Sequence, residues 1–461
     1  MRNKIILTFW VLTFLFFIIS PASAEEKQNQ NLTPRARPSD KLKTLSLDQC
    51  IELAIQSHPQ LKSYVALKRA AQGRIVQAQS AYFPQIGFSS SYNTSDNENN
   101  VTVDGIPLPQ DKSKATESYS NTFSLSQNIY DFGRTKYRLI AARENLNSAT
   151  YDFLIAADGI IYDIKNAYFK ALALEKAVIV HKQAVNQRQL QLKYATGFYE
   201  LGKRSKIEVT KAEVDLANAK LDLIKAENML MLAKVDLANA IGITDDIDFS
   251  LDDKTVMPEI EMTIAQALEA ARNNRPEMLK LACQERAGEA NLGLARASYY
   301  PSIDASGNFG WRGNRLNTQT KAWSWGITFR MDVLTWGKRT GSVTEQEEQL
   351  NSLRDIKERT WQNISKEVQY AFIAKNEAKA KVSVLEKALE SARDNLRLAQ
   401  GRYEQGLSSF LEYGDAQLAF QNAGNNLISA VLDYQISLAK LEQATGVSAY
   451  KDELIKKITQ K

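Results

Sequence analysis

Few side chains in this sequence could make or break bonds. Its 461 residues include two histidines, His58 and His181, and two cysteines, Cys50 and Cys283. That is too few for a metal cluster, an imidazole-based triad or a disulfide framework, so no cofactor, metal set or enzymatic activity is expected. His58 precedes Pro59 and His181 stands alone in a helical stretch, and both read as structural. Cys50 corresponds to Ala267 and Cys283 to Ala66 in the opposite halves of the chain, which predicts free buried thiols. The arrangement with most chemical content is a pair of carboxylates, Glu412 and Asp415, three apart and therefore on one helix face. Repeated around a symmetry axis, such carboxylates favour cations and repel anions. Glu208 is a first-half counterpart, but Lys211 stands where a second acid would correspond to Asp415. Gly307, Gly310 and Gly313 do not open a helix after a strand and read as strand glycines, not a phosphate loop.

The elements that carry these residues must be long, because 21 glycines and 10 prolines are sparse for this length. A net charge of +5, or +3 once Arg2 and Lys4 are removed, is low for a phosphate-binding surface, so no nucleic acid is expected. Arg2 and Lys4 precede an apolar run from Ile5 to Ile19 and the cleavage-like Ser20-Pro21-Ala22-Ser23-Ala24. Residues 1–24 read as a secretion signal, and 25–44 as a polar, flexible segment. Beyond it the chain is written twice. Pro59 recurs as Pro276 and Tyr82-Phe83-Pro84 as Tyr299-Tyr300-Pro301, 217 positions on. Gly133 recurs as Gly337, Gly202 as Gly406 and Gly242 as Gly446, 204 positions on. The reading is a first repeat over 45–242, an acidic linker over 243–262, a second repeat over 263–446 and a tail over 447–461. The 13 residues by which the offsets differ belong to a variable loop, Asp96 to Glu117 against Gly313 to Lys321.

Each repeat holds two stretches that alternate apolar and polar residues, near 84–130 and 301–334, with the length and dyad pattern of membrane-spanning strands. Tyr92, Tyr119, Trp311, Trp323 and Trp325 read as interfacial aromatics. The remainder carries heptads of large and small seam residues, such as Val209, Leu216 and Leu223 with Ala212, Ala219 and Ala226. Glycine and proline stops give helices over 138–196 and 342–400, 59 residues each and roughly 90 Å long. Shorter helices of 23 and 36 residues beside each would stack to the same length. Four membrane strands cannot close a barrel alone. The barrel must be shared, with two, three or four copies giving eight, twelve or sixteen strands.

This plan resembles the TolC-like outer-membrane efflux protein family over Leu45 to Gly446. The resemblance rests on the tandem halves, the Tyr-Phe-Pro and Tyr-Tyr-Pro strand entries, and Asp131-Phe132-Gly133 and Thr335-Trp336-Gly337 at the strand exits. It rests most on the turns Tyr199-Glu200-Leu201-Gly202 and Tyr403-Glu404-Gln405-Gly406, each followed by a carboxylate and an alanine seam. The resemblance implies a mainly α fold with a membrane β-barrel section: a trimeric twelve-stranded barrel above a periplasmic α-barrel of antiparallel coiled-coil helices. It further implies an outer-membrane exit duct of a tripartite efflux or type I secretion system, embedded in outer-membrane lipid. Its partners would be a periplasmic adaptor and an inner-membrane transporter. Gly202, Lys203, Gly406 and Leu407 would form the adaptor-facing tips, and Glu412 and Asp415 the constriction. The alternative is a periplasmic structural coiled-coil protein without a membrane barrel.

Overall fold

The computed structural model describes residues 44–95, 102–103, 106–107, 116–243, 249–448, 450 and 454. The secretion signal, the polar segment after it and most of the variable loop and tail expected above lie outside them. Two compact units are distinguished. In the small one, β1 (Thr44–Leu45) runs beside Ser250, the first residue of β6 (Ser250–Leu251), with their hydroxyl oxygens 3.3 Å apart at Thr44 and Ser250.

Among the described residues, the large unit holds every helix. In the first repeat these are α1 (Leu47–Ser57), α2 (Pro59–Ser80), α3 (Arg134–Glu200) and α4 (Lys206–Ile241); in the second, α5 (Ile264–Asn274), α6 (Pro276–Ala297), α7 (Lys338–Glu404) and α8 (Phe410–Thr445). Local chemistry explains their ends. Ser46 and Thr263 start α1 and α5 with reciprocal capping boxes to Gln49 and Gln266. Pro59 and Pro276 occupy the first turn of α2 and α6, where no amide is needed. His58 caps α2, its Nδ1 accepting from the Gln60 amide at 3.3 Å, and burial lowers its pKa. His181 lies 3.4 Å from Gln421. Cys50 and Cys283 are free and buried, and burial pushes the Cys50 thiol up to about 12.

Each long helix has 67 residues, about 100 Å, and exceeds the expected 59. Gly197, Gly341 and Gly401 looked like helix stops, yet all three lie inside helices. The real stops are Gly202 and Gly406, at φ +65° and +75°, a conformation glycine adopts without a Cβ penalty. Because α2 and α4 have 22 and 36 residues, the stacked pair is shorter than its long neighbour. α3 packs on α2, α4, α6 and α8, and α7 on α6 and α8. Among the described residues no helix is long and apolar enough to cross a membrane.

The stretch expected as a linker does more than connect. The Met257 amide donates to Gln435 Oε1 at 2.7 Å, Tyr168 donates to the Asp252 carbonyl at 3.0 Å, and Lys375 donates to the Ile260 carbonyl at 3.2 Å. These bonds strap residues 251–260 across α3, α7 and α8.

Four long strands, β2 (Gln85–Ser95), β5 (Thr116–Tyr130), β7 (Ser302–Gly313) and β8 (Thr320–Arg330), form an antiparallel sheet in the order β2-β5-β7-β8. The short β3 (Thr102–Val103) and β4 (Ile106–Pro107) pair with each other inside the variable loop. The register groups the alternating residues as expected. Ile86 faces Leu125, which faces Gly307, which faces Trp325; Phe88, Phe123, Phe309 and Trp323 form the next row. The opposite face carries rows such as Ser124, Asn308 and Ser324. Tyr92 and Tyr119 sit opposite each other near strand ends with ring centroids 4.8 Å apart, and Trp311 packs on Phe309 at 5.2 Å. Trp325 departs from the expectation of a strand-end aromatic: it stands mid-strand on β8, opposite Gly307 and 75% exposed.

Candidate functional site: the two helix tips

The chain turns at 201–205 between α3 and α4 and at 405–409 between α7 and α8. Both turns use one backbone device. The Lys203 amide donates to the Phe198 carbonyl at 2.9 Å and the Leu407 amide to the Arg402 carbonyl at 2.8 Å, each spanning a left-handed glycine. Ser205 and Ser409 then cap the outgoing helices, accepting from the Ile207 and Glu412 amides.

The side chains of the two tips differ. At the first, Leu201, Gly202 and Lys203 are exposed, and Ile207 is 77% exposed. At the second, Gly406 is exposed and Leu407 and Leu411 are 67% and 58% exposed. Glu412 and Asp415 lie on the exposed face of α8, while Tyr413, Ala416 and Gln417 are buried on the other. Glu412 is paired with Arg402 at 3.3 Å. Asp415 has no ion pair among the described residues. Glu208 is only partly exposed and bonds Arg204 at 3.5 Å, with its second oxygen buried and without a hydrogen bond. It therefore lies in a different environment from its second-repeat counterpart. Lys211 stands over the Phe410 ring at 5.6 Å.

Sequence reading missed the lock between the tips. Tyr403 is fully buried, stacked on Tyr413 at 5.3 Å and edge-on to Phe198 at 5.8 Å, in a cluster with Ala195, Ala212, Phe410 and Ala416. Its hydroxyl has no hydrogen bond, and burial together with the Glu208 charge pushes it up to about 12. Arg204 of the first tip donates to the Ser408 carbonyl of the second at 3.0 Å. Near these, Arg188 pairs with Asp215 at 3.8 Å and Tyr194 donates to Glu404 at 3.0 Å. The sequence signals were Tyr403 in the turn motif and the Arg204-to-Glu208 spacing of one helical turn, neither of which names what packs there.

The tips bring together an arginine bridge, an exposed carboxylate pair and a buried aromatic cluster, and among their described residues no nucleophile is paired with a base. The model of the outer membrane efflux protein family matches residues 50–243 and 267–447, one stretch in each repeat. Outer membrane protein TolC of Vibrio cholerae serotype O1 is 24% identical over 422 residues, covering 88% of this chain and 92% of that protein. Outer membrane protein OprJ of Pseudomonas aeruginosa is 23% identical, covering 73% and 71%. Among solved structures, the Campylobacter jejuni CmeC outer membrane channel superposes with a TM-score of 0.76 at 17% identity, covering 90% of this chain and 89% of that one. The open state of the Neisseria gonorrhoeae MtrE outer membrane channel gives 0.74 at 20% identity, covering 87% and 88%. With both repeats matched in order, the chain belongs to the outer membrane efflux protein family.

Proposed function

We propose that three copies of this chain close a twelve-stranded barrel in the outer membrane above a periplasmic helical duct, and that the assembly is the passive exit of a tripartite efflux or type I secretion system. The observation that carries this reading is the sheet. One face is apolar, and among the described residues its edge strands β2 and β8 are each paired on one side only. An open edge in lipid strands backbone hydrogen-bonding groups, whereas an even, antiparallel set shared among copies closes without an edge. The exposed Gly202, Lys203, Gly406 and Leu407 then face a periplasmic adaptor. Glu412 and Asp415, repeated around the axis, line the constriction and favour cations. Energy and substrate choice come from an inner-membrane transporter, and this chain does no chemistry. Fractionation tests the reading: the full chain should extract from outer membranes only with detergent, as an oligomer that heat dissociates. Recovery as a soluble periplasmic monomer would overturn it.

A further inference from the structure

Just below the sheet α6 packs on both α3 and α7, and the three line a cavity of about 490 Å³. One glycine makes the room. At Gly293 an added Cβ would sit 2.6 Å from the Tyr137 ring of α3, so any side chain there would displace that ring. Buried Leu350 lines the α7 side. The two ends of the cavity are unlike, one aromatic and one charged.

The aromatic end continues the sheet. A bulge in β5 after Asn128 sets Tyr130 opposite Ile303, on the apolar face. The Tyr130 ring lies edge-on to Phe132 at 4.7 Å, and Phe132 stacks on Tyr300 at 5.3 Å. Phe132 and Tyr300 line the cavity and are 37% and 54% exposed, so an apolar surface runs from the sheet into it. The charged end is set by Arg296, in the last turn of α6, and Arg354 of α7. Arg296 donates to Glu347 at 2.7 Å and Arg354 to Glu285 at 3.2 Å, with Glu289 3.9 Å from Arg354. Each guanidinium has five N–H donors and uses one in these bonds, and both side chains are more than half exposed. Most of their donors are open.

The repeated architecture does not require these residues. α2 packs on α3 as α6 packs on α7. By the shifts of 217 and 204 positions, Glu289, Gly293 and Arg296 of α6 correspond to Gln72, Val76 and Gln79 of α2, and Arg354 of α7 to Thr150 of α3. The first repeat thus builds the same helix pair with neither the charges nor the glycine. What the second repeat has in their place is space, exposed aromatic surface and open guanidinium donors at one spot.

We propose that this cavity binds a phospholipid of the periplasm-facing leaflet, one per chain. Its acyl chains lie on Phe132 and Tyr300, where the apolar face ends, and its phosphate takes the open donors of Arg296 and Arg354. Arg296 lies about one helical turn below the first residue of β7, the depth of a headgroup for a band that ends with the strands. With Glu285, Glu289 and Glu347 beside the arginines, the site favours a head whose phosphate is balanced by its own cation, a phosphoethanolamine, over a more anionic one.

The inference rests on the reading that the strands lie in the outer membrane. It is tested on the full chain, extracted in detergent, delipidated and titrated with phosphatidylethanolamine under native mass spectrometry. One lipid per chain should be retained. Phosphatidic acid, and diacylglycerol with the same chains but no phosphate, should each be held roughly tenfold more weakly. Arg296→Gln with Arg354→Thr, the residues of the first repeat, should lower retention to the diacylglycerol level while the oligomer keeps its heat-dissociation temperature. Phosphatidylethanolamine carrying a photoreactive group near the glycerol end of a chain should label peptides containing Phe132 or Tyr300, an arm that needs no variant to fold. Equal retention of diacylglycerol, retention undiminished in the double variant, or label elsewhere would overturn the site and leave the barrel standing; tighter retention of phosphatidic acid would overturn the preference for a balanced head. Recovery of the chain as a soluble periplasmic protein would overturn the barrel and the site with it.

Discussion

Tyr403 lies where the two helical hairpins meet, with no water access and the Glu208 carboxylate nearby. Its pKa of about 12 lies above the ordinary value of 10.0, so the fold favours the neutral phenol. That contribution is fully present below pH 10 and is lost as pH rises from 10 towards about 12. The tips should therefore loosen in alkali before the barrel does, read as a rise in channel conductance over that window. Glu208→Gln removes the nearby charge and should move the Tyr403 titration to lower pH, followed by tyrosinate absorbance. At the proposed constriction, Glu412→Ala with Asp415→Ala should weaken cation preference, read from reversal potentials across a salt gradient; an unchanged reversal potential would remove these residues from the conducting path. The carboxylate pair was legible because both residues lie within one helical turn. The Tyr403 cluster was not, because Phe198, Tyr403 and Tyr413 come from three helices and a heptad names a face without naming what meets it.

At the scale of elements, the repeat made the helices legible through their paired prolines and glycines, but not their lengths. A glycine marks a helix end only where φ is positive, and Gly197, Gly341 and Gly401 show no such sign in sequence. The starts of the two long helices also differ. Asp131 accepts from the Gly133 and Thr135 amides at 3.1 and 2.7 Å, whereas Thr335 precedes α7 without a comparable cap. Asp131→Ala should cost about 1 kcal/mol in denaturant unfolding. Midway along α3, Lys165 pairs with Glu442 of α8 at 2.7 Å, their side chains 4% and 12% exposed. Lys165→Ala leaves a buried carboxylate unpaired and should cost about 3–5 kcal/mol, while Lys165→Met with Glu442→Leu should recover most of it. Equal losses in the single and double variants would show that packing, not charge, sets the cost.

For the whole molecule, one chain is an unfinished object. Among the described residues its sheet has two free edges, and apolar residues such as Trp323, Ile327, Ile86 and Val76 remain exposed on its flanks. Alternation in the sequence predicted which sheet face is apolar, and the small strand number predicted sharing. Neither could identify the flanks, because a period of two or of seven reports burial without direction. Family membership shows an outer-membrane efflux channel, and the proposal adds that several copies build it. Planar-bilayer recording of the detergent-extracted, unheated oligomer tests this most directly. The account predicts stable, cation-preferring single-channel steps that vanish when the oligomer is heat-dissociated. Absence of any conductance from an intact, membrane-inserted oligomer would contradict it.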